Sequence, residues 1–154
     1  MEPGPILIGE KREPVWPKNC VGTISHCCKY CLVMVRPSTK TQSLGADIEH
    51  LGRVKAHLWP RIFTVKEKTF LLSLDSRDAD RAATAMFSAK EAFFKLQHPL
   101  TGLWLEFLDA EVRLRPDNTF NISVNKTLPA PLAERTHTGI YTEWQDCCIT
   151  VMEI

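Results

Sequence analysis

Ser76-Arg77-Asp78-Ala79-Asp80-Arg81-Ala82-Ala83-Thr84-Ala85-Met86-Phe87-Ser88-Ala89-Lys90-Glu91-Ala92-Phe93-Phe94-Lys95-Leu96-Gln97-His98-Pro99 is the stretch on which the fold of this chain turns. Ala79, Ala82, Ala83, Met86, Ala89, Phe93 and Leu96 recur at helical spacing and form one apolar stripe. Ser76 or Asp78 supplies a cap, and acidic residues at the start suit the positive end of the helix dipole. Pro99 and Gly102 end the helix. The small alanines let it lie close against a sheet, while Phe93, Phe94 and Leu96 add bulk at its end.

Outward from this helix the pattern changes. Upstream, Phe63 and Val65 precede Lys66-Glu67-Lys68, and Phe70, Leu72 and Leu74 follow, which predicts a hairpin or one bent strand over 61–74. Before that, Leu44, Ile48, Leu51, Val54 and Leu58 predict a second helix capped by Ser43 and stopped by Pro60. Gly45 and Gly52 weaken it by about 1 kcal/mol each. Tyr30 to Val35 predict a buried strand. Downstream, Leu103, Leu105 and Phe107 alternate with polar positions or Trp104. Val112 and Leu114 then face Phe120, Ile122 and Val124 across the turn at 116–119, as an antiparallel hairpin would. Thr127 to Thr138 form a loop, and Gly139 to Tyr141 and Cys147 to Ile154 supply closing strands. The expected fold is an α+β domain, a mostly antiparallel sheet with two helices packed on one face. Residues 1–19, with four prolines, read as an extended proline-rich arm, and 20–154 as the single α+β domain.

The chain has 154 residues, 44% of them apolar and 24% charged. A chain of this length buries roughly two thirds of its unfolded surface, so folding requires neither disulfides nor metal. Nineteen basic and eighteen acidic residues give +1, which excludes global charge as a driver of nucleic-acid or membrane binding. Basic residues exceed acidic ones by five through residue 102, and acidic exceed basic by four after it. The two parts can complement each other within the fold or drive head-to-tail association. No apolar run is long enough to span a bilayer. Six cysteines without an export signal predict an intracellular, reducing compartment, cytoplasm or nucleus.

Cys20, His26, Cys28 and Cys31 lie within twelve residues and are the ligand types of a tetrahedral zinc site. The competing reading makes these cysteines small apolar residues beside a buried strand, with no cofactor at all. Lys11, Arg12, Lys18, Lys29 and Arg36 would stand near phosphate if a zinc-stabilised module bound nucleic acid. Trp16, Trp59, Leu128 and Leu132 lie in or beside proline-rich segments and are candidates for docking a protein partner or touching a membrane surface. No histidine forms a metalloprotease or nucleophile motif, and phosphate-binding glycine loops are absent.

The run from Phe70 to Phe107, read as strand, alanine-rich helix and return strand, is followed by further strands that include His137-Thr138-Gly139-Ile140-Tyr141. In layout this resembles rhabdovirus matrix proteins over residues 70–154. The resemblance implies nucleocapsid condensation, budding and residence in a virion. The expected function is therefore a non-enzymatic assembly or adaptor protein that self-associates and binds protein partners or nucleoprotein. The alternatives are a zinc-stabilised nucleic-acid or regulatory module, and an enzyme with an unrecognised site.

Overall fold

The computed structural model describes residues 5–10 and 13–154. Within the segment expected to be an arm, β1 (Leu7–Ile8) pairs with β2 (Pro14–Val15). Lys11 and Arg12 lie outside the described residues. β3 (Cys20–Cys27) and β4 (Tyr30–Pro37) form an antiparallel hairpin. β5 (Leu44–His50), β6 (Ala110–Leu114), β7 (Thr119–Val124), β8 (Thr136–Trp144) and β9 (Cys147–Glu153) build one antiparallel sheet in the order β5-β9-β8-β7-β6. Three helices, α1 (Trp59–Ile62), α2 (Val65–Leu72) and α3 (Ser76–Thr101), complete the α+β fold expected from the sequence.

α3 forms where its stripe predicts, with two adjustments at the ends. Its cap is Asp75, whose Oδ1 accepts from the Asp78 amide at 2.9 Å. Pro99 sits inside the last turn, where its missing N–H costs one hydrogen bond, and Gly102 at φ 66° stops the helix. Ala79, Ala83, Met86, Ala89, Phe93 and Leu96 bury against Val112, Phe120, Ile122 and Met152 of the sheet.

Two elements differ from the sequence reading. Residues 44–50 are the edge strand β5 rather than a helix. Leu44, Ala46 and Ile48 alternate with Gly45, Asp47 and Glu49, and pairing with β9 satisfies the backbone that two glycines would leave weakly helical. Residues 65–72 are helical rather than extended because Thr64 and Glu67 make a capping box. Thr64 Oγ1 accepts from the Glu67 amide at 3.3 Å, and Glu67 Oε2 accepts from the Thr64 amide at 2.7 Å. Leu103 to Phe107 form no strand. They run beside the C-terminal end of α3, with Gln97 Nε2 donating to the Leu103 carbonyl at 3.0 Å.

Lys90 ties these pieces together. Its Nζ donates to Glu67 Oε2 (2.8 Å), the Ile62 carbonyl (2.8 Å) and the Phe107 carbonyl (2.9 Å), and Glu67 Oε1 accepts from the Val112 amide at 2.7 Å. Both side chains are buried, and burial pushes the Lys90 ammonium below its ordinary value. A buried pair missing one partner strands a charge. Lys90→Met should therefore lower unfolding free energy by about 3–5 kcal/mol. Adding Glu67→Gln should restore part of the loss, because a neutral amide oxygen still accepts from Val112. Urea denaturation of the three proteins measures this.

Candidate active site

β5 and α3 meet almost backbone to backbone. A Cβ on Gly45 would lie 1.9 Å from the Ala92 carbonyl oxygen, so only glycine allows the contact. By the two-residue period of a strand, Asp47 and Glu49 share the face of Gly45 and so turn toward α3. Glu91 and Lys95 flank Ala92 on the helix. The result is a cluster of three carboxylates and two cations.

Asp47 is 3% exposed. Its Oδ1 accepts from Ser25 Oγ at 2.6 Å and from Lys95 Nζ at 2.7 Å, while its buried Oδ2 has no hydrogen-bond partner among the described residues. Lys95 Nζ also reaches the Ala46 carbonyl at 3.3 Å. Glu49 is buried and accepts from Arg53 Nη1 at 2.9 Å. Glu91 makes no ion pair within 4 Å among the described residues. Burial raises the carboxyl groups of Glu49 and Glu91 above their ordinary values, and the charge of Asp47 adds to both shifts; Arg53 opposes the shift at Glu49, and Lys95 and Arg53 oppose it at Glu91.

Glu91 also lines a cleft of about 180 Å³. Its walls are Lys90, Phe93, Phe94, Trp104, Leu105, Glu106, Phe107 and Ala110. Trp104 is 67% exposed and packs edge-on against Phe94 at 5.0 Å between ring centroids. A largely apolar slot thus carries the carboxylate of Glu91 in its wall.

The donor set of the cluster is all oxygen, as a hard divalent cation prefers, and a buried carboxylate oxygen stands unpartnered. Among the described residues, no three His, Cys, Asp or Glu side chains already converge as a metal cage. Lys95 and Arg53 hold Asp47 and Glu49 instead. Asp47, Glu49 and Glu91 fit a divalent cation in chemistry, once Arg53 gives up Glu49.

The residues singled out from sequence fall elsewhere. His26 faces Cys31 across the hairpin, Cys28 is exposed in its turn, and Cys20 pairs with Pro37 at the far end. Six residues of extended chain separate Cys20 from His26, about 20 Å at 3.3 Å per residue, so these four cannot share one zinc ion. Buried Cys27, Cys147 and Cys148 pack as small apolar groups, and burial pushes the Cys27 thiol up to about 11 and the Cys148 thiol up to about 12. Trp59, Leu128 and Leu132 belong to the core and offer no docking surface; Trp59 Nε1 donates to the Val54 carbonyl at 3.2 Å. Trp16 lies against Gly22 of the hairpin. Lys18 is exposed, Lys29 sits over the Tyr30 ring, and Arg36 pairs with Glu153, so these cations form no common phosphate site. The two charge blocks meet within the fold through Arg36–Glu153, Lys66–Glu111 and Arg81–Glu143. No helix among the described residues is long and apolar enough to cross a membrane.

An antiparallel sheet crossed by one long helix is a fold already seen in solved structures. The Thermotoga maritima holo-[acyl-carrier-protein] synthase matches with a TM-score of 0.52 and 22% identity, covering 71% of this chain and 61% of that one. A Bacillus anthracis holo-(acyl-carrier-protein) synthase, crystallised in complex with CoA (3',5'-ADP), matches with a TM-score of 0.51 and 23% identity over 71% of this chain and 94% of that one. These likenesses establish the fold.

The chain belongs to the 4'-phosphopantetheinyl transferase superfamily, whose family model matches residues 43–151. A second model, the 4'-phosphopantetheinyl transferase N-terminal domain, matches residues 1–36. The 4'-phosphopantetheinyl transferase Svp of Streptomyces mobaraensis is 36% identical over 118 residues, covering 76% of this chain and 48% of that protein. PptT of Mycobacterium tuberculosis is 33% identical over 126 residues, covering 76% and 51%. Enterobactin synthase component D of Salmonella typhi is 31% identical over 139 residues, covering 89% and 56%. The chain spans about half the length of these curated relatives. The family overturns the likeness to rhabdovirus matrix proteins and with it the structural, non-enzymatic, virion-bound reading. A strand–helix–strand layout alone recurs in unrelated folds and carries no chemistry.

Sequence reading missed Asp47, Glu49, Glu91 and Lys95, because a helix over 44–58 scatters Asp47 and Glu49 around its axis. The signal was there as two carboxylates at i and i+2 beside a glycine. Glu91 gives a direct test of the cluster's electrostatics. Its raised carboxyl keeps a proton in the fold at pH values where the unfolded chain has lost it. That stabilisation is present below the ordinary carboxylate range and disappears as pH rises through the raised value. Glu91→Gln should therefore melt above wild type at pH 7.5 without divalent ions, and the gap should close as pH falls toward 4.5. Calorimetric melts across that range measure it.

Proposed function

We propose that this chain carries the transfer centre of a 4'-phosphopantetheinyl transferase, which moves the phosphopantetheine arm of CoA onto a hydroxyl of a carrier protein. The observation that carries this reading is the carboxylate cluster joined to the apolar cleft through Glu91, which belongs to both. The family match over 43–151 supports it.

In this reading the hydroxyl oxygen forms a bond to the phosphorus that bears the pantetheine. The bond from that phosphorus to the adenosine 3',5'-bisphosphate oxygen breaks, and the leaving oxygen takes the electron pair. Glu91, which belongs to both the cluster and the cleft, accepts the hydroxyl proton on its carboxylate. A divalent cation held by Asp47, Glu49 and Glu91 would supply charge neutralisation at the diphosphate. Lys95, fixed on Asp47 and the Ala46 carbonyl, keeps Asp47 aimed. Phe94, Trp104 and Leu105 offer the pantetheine arm an apolar wall and exclude water from one side of the reacting centre.

The test is incubation of the chain with CoA, Mg²⁺ and an apo carrier protein, followed by intact-mass analysis of the carrier. Gain of one phosphopantetheinyl group is the expected result; an unmodified carrier across several carrier classes counts against the reading. Glu91→Gln should lower kcat by about 10²–10⁴-fold, the usual range for a lost general base. Trp104→Ala should raise KM for CoA several-fold and leave kcat closer to wild type, since it removes binding surface remote from the proton transfer.

A further inference from the structure

Two cations face the three carboxylates, and they are anchored differently. Lys95 has a side chain 26% exposed and donates to two acceptors, Asp47 Oδ1 and the Ala46 carbonyl. Arg53 has a side chain 58% exposed and, among the described residues, its one ion pair is with Glu49, whose side chain is 9% exposed. Ion pairs open to solvent on one side contribute little and break readily. The backbone beneath Arg53 is held, because the Gly52 amide donates to Thr84 Oγ1 at 3.0 Å and the Arg53 amide to the His50 carbonyl at 3.1 Å. Release of Glu49 therefore needs a side-chain swing and no movement of the chain.

The charges point the same way. Three carboxylates against two single cations leave the cluster one negative charge in excess, and the buried Oδ2 of Asp47 has no partner among the described residues. Exchanging one singly charged guanidinium for a doubly charged ion brings the cluster to neutrality. Lys95 is too firmly held to be the group exchanged.

We infer that Arg53 is the displaceable counter-ion of this site: it holds Glu49 while no divalent ion is bound and is exchanged for that ion when it enters. The inference rests on the phosphopantetheinyl-transfer reading, which assigns the ion to Asp47, Glu49 and Glu91. Arg53 is a positioning residue that acts through Glu49. It keeps the metal-free cluster folded and sets how tightly the ion binds, because the ion must compete with it.

Isothermal titration of the full chain with Mn²⁺ alone, at pH 7.5, reads this without any turnover. Arg53→Gln should bind Mn²⁺ about tenfold tighter than wild type, a coupling within the range of directly contacting residues. Its melting temperature should be lower without Mn²⁺ and rise further on adding it. Arg53→Lys, which keeps the competing charge, should stay near wild-type affinity. In the Glu49→Gln background the Arg53→Gln change should have little effect, which also tests the idea should the single variant fold poorly. Unchanged or weaker Mn²⁺ binding by Arg53→Gln, with wild-type binding abolished by Asp47→Asn, overturns the role of Arg53 and leaves the metal reading standing. No Mn²⁺ binding by wild type or Arg53→Gln overturns both.

Discussion

The contact between β5 and α3 sets the distances on which the rest of the molecule depends. At Gly45 and Ala92 a strand and a helix approach until no side-chain carbon fits between them. Ordinarily side chains fill the gap between a helix and the sheet it packs on. Here the gap closes, and polar side chains on either side of the contact are brought together in the interior. Asp47 and Glu49 come from the strand, Glu91 and Lys95 from the helix. Their burial raises the carboxyl groups of Glu49 and Glu91, so the same contact creates the site and its proton affinity.

α3 carries two lysines with opposite roles, little more than one turn apart. Lys90 closes a network in which each polar atom of the Glu67 carboxylate has a donor, and this network locks α1, α2, β6 and the 107–109 turn to the helix. Lys95 serves a carboxylate that still has an open oxygen. A satisfied buried pair fixes structure, while an unsatisfied one keeps a capacity for a further partner. The difference lies in what surrounds each pair and cannot be seen in the identity of the lysines.

Several elements were legible because their patterns are local. The apolar stripe of α3 gives its buried face, and the alternation of Phe120, Ile122 and Val124, like that of Val112 and Leu114, gives the antiparallel β6–β7 hairpin. The capping box at Thr64 and Glu67 was also local, but alternating apolar residues around Lys66-Glu67-Lys68 drew the reading toward a strand. Other elements were hidden for a different reason. β5 is buried on both faces as an edge strand whose partner, β9, lies a hundred residues away, so its buried acids broke the pattern by which half-buried strands are recognised. The four candidate zinc ligands are close in sequence but spread along a hairpin, where extended chain separates what a count of residues brings near. Leu128 and Leu132 sit beside prolines of a loop, and Trp59 beside the proline that opens α1, and in each case the chain turns the apolar side chain inward.

By itself the sequence determined an α+β domain with a mostly antiparallel sheet and a long amphipathic helix, because hydrophobic periodicity is written residue by residue. It also determined opposite charge in the two parts of the chain. Only the tertiary structure decided that these charges pair across the fold and that Cys27, Cys147 and Cys148 are buried packing groups. Only the tertiary structure, too, put Asp47 and Glu49 opposite Glu91 beside an apolar cleft. A site built from a strand and a helix some forty residues apart exists only after both have packed, and Gly45 is the position that lets them pack so closely.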